Sequence, residues 1–132
     1  MPRSPSRPPG NSARRFAERA GQRGEFWASW WLRLKFYRIV ARRVKTPVGE
    51  IDLVAQRGGV TVFIEVKSRS FSTQEGDALL AVNRRRIVRA AALWIARHPH
   101  LAHTDQRFDV IFLAPFAWPR HIVNAFDATG LA

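Results

Sequence analysis

The 132-residue chain contains no cysteine. Disulfides and thiolate metal sites are therefore excluded, and the absence suits a reducing compartment. No apolar run reaches the length of a membrane span or a signal peptide, so a cytoplasmic protein without membrane contact is expected. No internal repeat, phosphate-binding glycine loop, nucleophile elbow or Cys/His cluster is present. Acidic residues are scarce: 10 Asp and Glu stand against 22 Lys and Arg, a net charge of +12. Lysine is scarce too, confined to Lys35, Lys45 and Lys67. The excess is thus arginine, whose planar fork suits phosphate. On a small domain it predicts nucleic-acid affinity through counterion release. The plain alternative is a solvated surface with an arginine bias.

The length fits one domain with a core of its own. Residues 1–12, rich in Pro, Ser and Arg, read as a disordered basic arm, and 13–132 as the folded domain. Asn11 or Ser12 suits a helix cap. From Ala13 to about Phe36, the residues Phe16, Ala20, Trp27, Trp31 and Leu34 recur at helical spacing. Gly21 and Gly24 interrupt that pattern and mark a bend or a close backbone approach. Trp27, Trp30 and Trp31 suit a core or an interface better than a base-stacking platform.

Tyr37 to Lys45 reads as a strand, ended by Pro47 and Gly49. A hairpin and then a loop from Ser68 to Asp77 follow. A helix from about Asp77 to His98 carries the stripe Leu80, Ile87, Ala91, Trp94 and Ile95. Strands at Arg107–Leu113, which carries Asp109, and at His121–Phe126 close the chain. His98, His100 and His103, where the helix ends at Pro99, suit the helix dipole or solvent better than a metal. The order is helix, three strands, helix, two strands. It predicts an α/β fold with a mixed sheet and a helix on each face.

The hairpin carries the chemistry. Gly49-Glu50-Ile51-Asp52-Leu53 and Phe63-Ile64-Glu65-Val66-Lys67 place acids inside apolar strands. Glu65 and Lys67 share a face because strand side chains alternate. If Gly58-Gly59 forms a two-residue type I′ turn, opposed residues sum to 117. Asp52 then faces Glu65, Glu50 faces Lys67, and Ile51, Leu53 and Ala55 lie against Val66, Ile64 and Val62. Opposed carboxylates, with Cβ atoms roughly 4.5–5.5 Å apart, repel. A Mg²⁺ or Mn²⁺ ion, with help from Lys67, would compensate them. Two carboxylates with a nearby ammonium are what a metal-dependent phosphodiester hydrolase requires. A cross-strand ion pair, Glu50 with Lys67, is the simpler reading of the same charges.

The motifs Gly21, Gly24-Glu25, Gly49-Glu50-Ile51-Asp52-Leu53, Phe63-Ile64-Glu65-Val66-Lys67-Ser68-Arg69 and Arg107-Phe108-Asp109-Val110 together resemble the YraN-like family of bacterial proteins. That family is placed in the restriction-endonuclease-like, PD-(D/E)XK superfamily and is similar to Holliday-junction resolvases. The resemblance covers roughly residues 13–126. It implies a restriction-endonuclease-like mixed sheet flanked by helices, in the order α-β-β-β-α-β-β. It also implies a catalytic set of Glu25, Asp52, Glu65 and Lys67. On this reading Asp52, Glu65, the Val66 carbonyl and Glu25 bind Mg²⁺ or Mn²⁺. Lys67 orients the attacking water or stabilises the phosphorane, and Arg69, Arg84, Arg85 and Arg86 contact phosphates. The expected partner is nucleic acid, DNA before RNA and branched DNA among the candidates, with monomer and homodimer both open. Two further readings stand beside the nuclease: a catalytically silent nucleic-acid-binding module, and an accessory subunit using the tryptophan-rich helix as its interface.

Overall fold

A computed structural model describes residues 24–68 and 84–127, and the backbone of 75–83. The arm at 1–12, Phe16, Ala20, Gly21, Arg69, residues 69–74 of the expected Ser68–Asp77 loop, and the Leu80 side chain lie outside that description; residues 75–77 of that loop belong to a helix instead. Helix α1 runs over residues 24–34. Strands β1 (Arg38–Thr46), β2 (Gly49–Arg57) and β3 (Val60–Lys67) follow, then helix α2 (Glu75–Ala96), a 3₁₀ turn (Pro99–Leu101), and strands β4 (Asp105–Phe112) and β5 (Arg120–Phe126). The five strands form one sheet in the order β1-β2-β3-β4-β5. Only β3 and β4 run parallel; the other neighbours are antiparallel. The parallel step needs a crossover, and α2 supplies it. The α/β order expected from the sequence is the order found.

Two cores lie on the sheet. One gathers Val54, Phe63, Phe108, Val110 and Phe126 against Ile87, Val88, Ala91 and Trp94 of α2. The other gathers Leu53, Ala55, Val62, Ile64 and Ile111 against Ala28 and Leu32 of α1. The α2 stripe is close to the one its periodicity predicts. The α1 face is not. Trp27 is 63% and Leu34 66% exposed, whereas Ala28, Ser29 and Leu32 are buried. Small residues let the helix axis approach the sheet closely, and Phe26, Trp27 and Trp30 on the neighbouring face are left outside.

The β2–β3 register is the one the glycine turn predicts, from Arg57↔Val60 to Leu53↔Ile64. Of the two turn glycines only Gly58 takes positive φ, +59°. That is the pattern of a type II′ turn, not of the expected type I′, which needs positive φ at both positions. The expected face of Ile51, Leu53 and Ala55 is also broken. Leu53 and Ala55 belong to the α1-side core, but Ile51 packs with the α2-side core. The facing of β2 therefore changes at Asp52.

Candidate active site

The break has a visible cause in the neighbouring strand. Arg42↔Leu53 and Val44↔Ile51 are paired, which places Arg43 opposite Asp52. Arg43 has φ +51°, a left-handed conformation that costs a non-glycine residue about 1–3 kcal/mol. The distortion releases Asp52 from simple alternation. Its carboxylate Oδ2 accepts the Val66 backbone N–H at 2.8 Å. That bond lies beyond the last β2–β3 pair, so a side chain ties the strands where the regular pairing stops.

Glu65 and Lys67 lie two residues apart on β3, as alternation requires. Lys67 Nζ is 2.6 Å from Glu65 Oε1, and both side chains are largely buried. Glu25 comes from α1, with its Oε2 3.7 Å from Arg43 Nε. Burial and the nearby Asp52 charge push the Glu25 carboxyl up to about 7, against the pull of Arg43 and Arg42. Asp52 is also raised, first by burial and then by the Glu65 charge, while the Val66 N–H and Lys67 act the other way. Each acid is thus held where its anion is short of countercharge.

Asp52 and Glu65 line one cavity of about 560 Å³, together with Glu50, the Thr46–Gly49 turn, Arg86 and Ile87. Of the arginines proposed for phosphate, Arg86 reaches this cavity. Arg84 instead stacks over the Phe126 ring at 5.3 Å. Arg85 is solvent-exposed, and Arg69 lies outside the described residues. Among the described residues, no group of three or more His, Asp and Glu side chains is gathered closely enough to cage a metal ion. Among the three histidines near the end of α2, His98 stacks on Trp94 with centroids 3.9 Å apart, and its Nδ1 lies 2.7 Å from the Trp94 carbonyl oxygen.

Sequence reasoning noticed Asp109 but not what surrounds it. Asp109 is fully buried. It accepts bonds from Arg107 Nε at 2.9 Å and Nη2 at 2.8 Å, and from the Asn124 N–H at 2.9 Å; His121 Nε2 lies 2.7 Å away. Arg107 also donates to the Tyr37 hydroxyl at 2.6 Å, and His121 Nδ1 lies 3.3 Å from Lys35 Nζ. Burial alone would raise the Asp109 pKa, but the His121, Arg107 and Asn124 bonds hold it below the usual range. The one signal in the sequence is an acid within an apolar strand, two residues from an arginine on the same face.

The sequence profile described as "Uncharacterised protein family UPF0102" matches residues 24–113. That span holds Glu25, Asp52, Glu65, Lys67 and Arg86. A UPF0102 protein of Parvibaculum lavamentivorans is 50% identical over 110 residues, 83% of each chain. One from Chelativorans is 44% identical over 116 residues, 88% of this chain and 94% of its own. One from Rhodopseudomonas palustris is 44% identical over 126 residues, 96% of each. The chain therefore belongs to the UPF0102 family, the YraN-like group that its hairpin motifs resemble.

Proposed function

We propose that the chain is a divalent-metal-dependent hydrolase of phosphodiester bonds in nucleic acid. The observation that carries this reading is the shared cavity of Asp52 and Glu65, with Lys67 against Glu65 and Glu25 electrostatically coupled to Asp52. The donor set fits a hard cation. Asp52 and Glu65 offer carboxylate oxygens, and the raised Asp52 and Glu25 are acids that a cation would favour in their ionised form. Mg²⁺ is commonly held by one or two carboxylates, with water and substrate phosphate completing its shell. A two-carboxylate site is therefore sufficient without a three-residue cage. Asp52 and Glu65 would hold the ion, with Glu25 and the Val66 carbonyl as further oxygens. When bound, the ion supplies charge stabilisation at the phosphate and acidifies water.

The protein's own residues do the rest. The Val66 N–H fixes the Asp52 carboxylate. Lys67 orients the attacking water and offsets the charge that grows on the phosphorane. Arg86 contacts the phosphate from the cavity's opposite wall. DNA is the first substrate class, with branched DNA at its head.

One observation favours a second reading. The Lys67–Glu65 pair neutralises part of the site without metal, as a silent binding module would require. Incubation with branched, single-stranded and duplex DNA, and with RNA, in Mn²⁺, Mg²⁺ or EDTA separates the two. Cleavage is expected only with metal, and Lys67→Gln should slow it about 10²–10³-fold while Mn²⁺ binding by calorimetry persists. Retained nucleic-acid binding, with no Mn²⁺ heat and no cleavage of any substrate, identifies the binding module.

A further inference from the structure

We propose that a tryptophan-lined groove beside this site stacks unpaired bases of the nucleic acid whose phosphate lies at Asp52, Glu65 and Lys67. The proposal rests on the nucleic-acid reading above and names the substrate class: strands with bases out of the duplex, as at ends, bulges or branch points.

The groove encloses about 620 Å³ between α1 and the β4–β5 connection. Trp27, Trp30 and Trp31 line one wall and Trp118 the other. Trp118 is 83% exposed. Its ring lies 6.1 Å from that of Trp31, tilted by 41°. Patches of large exposed rings mark binding surfaces.

Two features select nucleic acid as the occupant. The first is continuity with the site. Gly24 and Ser68 line the groove, and they are the chain neighbours of Glu25 and Lys67. The groove thus begins where β3 ends, on the α1 side of the sheet, and a strand with its phosphate at Lys67 reaches it by passing the end of β3. The second is charge. The chain carries +12, and Lys35 Nζ lies 4.9 Å over the ring of Trp31, one of the groove's lining residues. An apolar protein segment gains nothing from that charge. A polyanion with flat aromatic bases uses both the rings and the cations. Base faces are covered inside a duplex, so the groove admits only bases that have left the stack. The Trp31 indole N–H is buried with no acceptor among the described residues.

The test compares a thymidine oligonucleotide with an abasic oligonucleotide of equal length at fixed salt, in EDTA, by tryptophan fluorescence and anisotropy. The thymidine strand should quench fluorescence and bind on the order of tenfold tighter. Trp118→Ala and Trp27→Ala should each remove most of that difference without changing binding of the abasic strand. Trp118→Phe should keep it. Both side chains are exposed, so folding is preserved, which circular dichroism checks. Equal affinity for the two strands overturns the stacking groove alone. Failure of both strands to bind overturns the nucleic-acid reading beneath it as well. If Trp118→Ala instead dissociates a dimer in sedimentation with strand binding untouched, the groove is a protein interface and the proposal is wrong.

Discussion

Asp52 and Val66 are joined by a hydrogen bond from backbone N–H to carboxylate, 2.8 Å long, just past the last regular pair of the hairpin. The same carboxylate therefore has two duties. It closes the sheet, and it lines the cavity that Glu65 also lines. The two duties respond differently to substitution. Asp52→Asn keeps an acceptor for Val66 and removes a charge that repels Glu65 and Glu25. Asp52→Ala removes both and leaves an amide without a partner.

In metal-free buffer, Asp52→Asn should be at least as stable as wild type. Asp52→Ala should lose about 1–3 kcal/mol, the cost of an unsatisfied buried donor. Urea melts of the three proteins measure this, and equal stabilities would remove the bond's structural role. Both variants should lose Mn²⁺ affinity.

Glu25 provides a pH test. Its folded pKa of about 7 lies above the ordinary 4.5. Folding therefore favours the neutral acid. Its contribution is full below about 4.5 and is lost as pH rises through about 7. Glu25→Gln keeps a neutral side chain at every pH. It should match wild type near pH 4 and exceed it at pH 8, read as the difference in melting temperature without metal. Parallel pH curves for the two proteins would contradict the raised pKa. Wild-type affinity for Mn²⁺ should rise through the same window, because the cation displaces that proton.

Gly49 tests the cavity wall. A Cβ there would lie 2.8 Å from the Arg86 carbonyl oxygen and 2.9 Å from its Cβ. The first of these contacts is backbone, so α2 must move. Gly49→Ala should cost about 1–3 kcal/mol, as overpacking does, and should displace Arg86 and weaken binding of short oligonucleotides. Gly59→Ala meets no atom within 4 Å and serves as the control.

Asp109 tests the buried cluster. Asp109→Ala strands Arg107, His121 and the Asn124 N–H, and should cost about 3–5 kcal/mol. The depressed pKa gives the sign of the pH dependence: the wild-type contribution is present above the ordinary value of 3.8 and fades as pH falls through the folded value. Thermal melts from pH 7 downward should show the gap between wild type and variant closing in acid.

The sequence made the hairpin legible because two independent signals agreed: a glycine pair at the turn and alternation on either side. The break at Asp52 was hidden, since alternation carries no mark for the place where a side chain replaces a backbone partner. The buried face of α1 was misread for a different reason. Spacing favoured Trp27 and Leu34, but close approach favoured Gly24, Ala28 and Leu32, and helical periodicity does not weigh size. The Asp109 cluster draws on Tyr37, Arg107, His121 and Asn124. Apart from Arg107, two residues from Asp109, they lie too far apart in the chain to leave a local pattern. Glu25 came from resemblance, and the coupling that raises its pKa is a property of the fold.

The single parallel pairing in the sheet, β3 with β4, also divides the chain in time. The β1–β2–β3 meander closes through two tight turns, whereas β4 must wait for the whole of α2 to cross. Local closure is entropically cheaper and precedes distant pairing. Asp52, Glu65 and Lys67 all ride on the part that organises first. Asp109 and its partners on β5 join late. Lesions at Asp109 should therefore speed unfolding and leave the refolding rate nearly unchanged in stopped-flow measurements, while lesions at the Gly58-Gly59 turn should slow refolding. Reversal of that pattern would place the crossover, not the meander, at the start. With the meander first, the acids of the site are assembled before the clamp that keeps them assembled, so the protein's lifetime and its chemistry are set by different ends of one sheet.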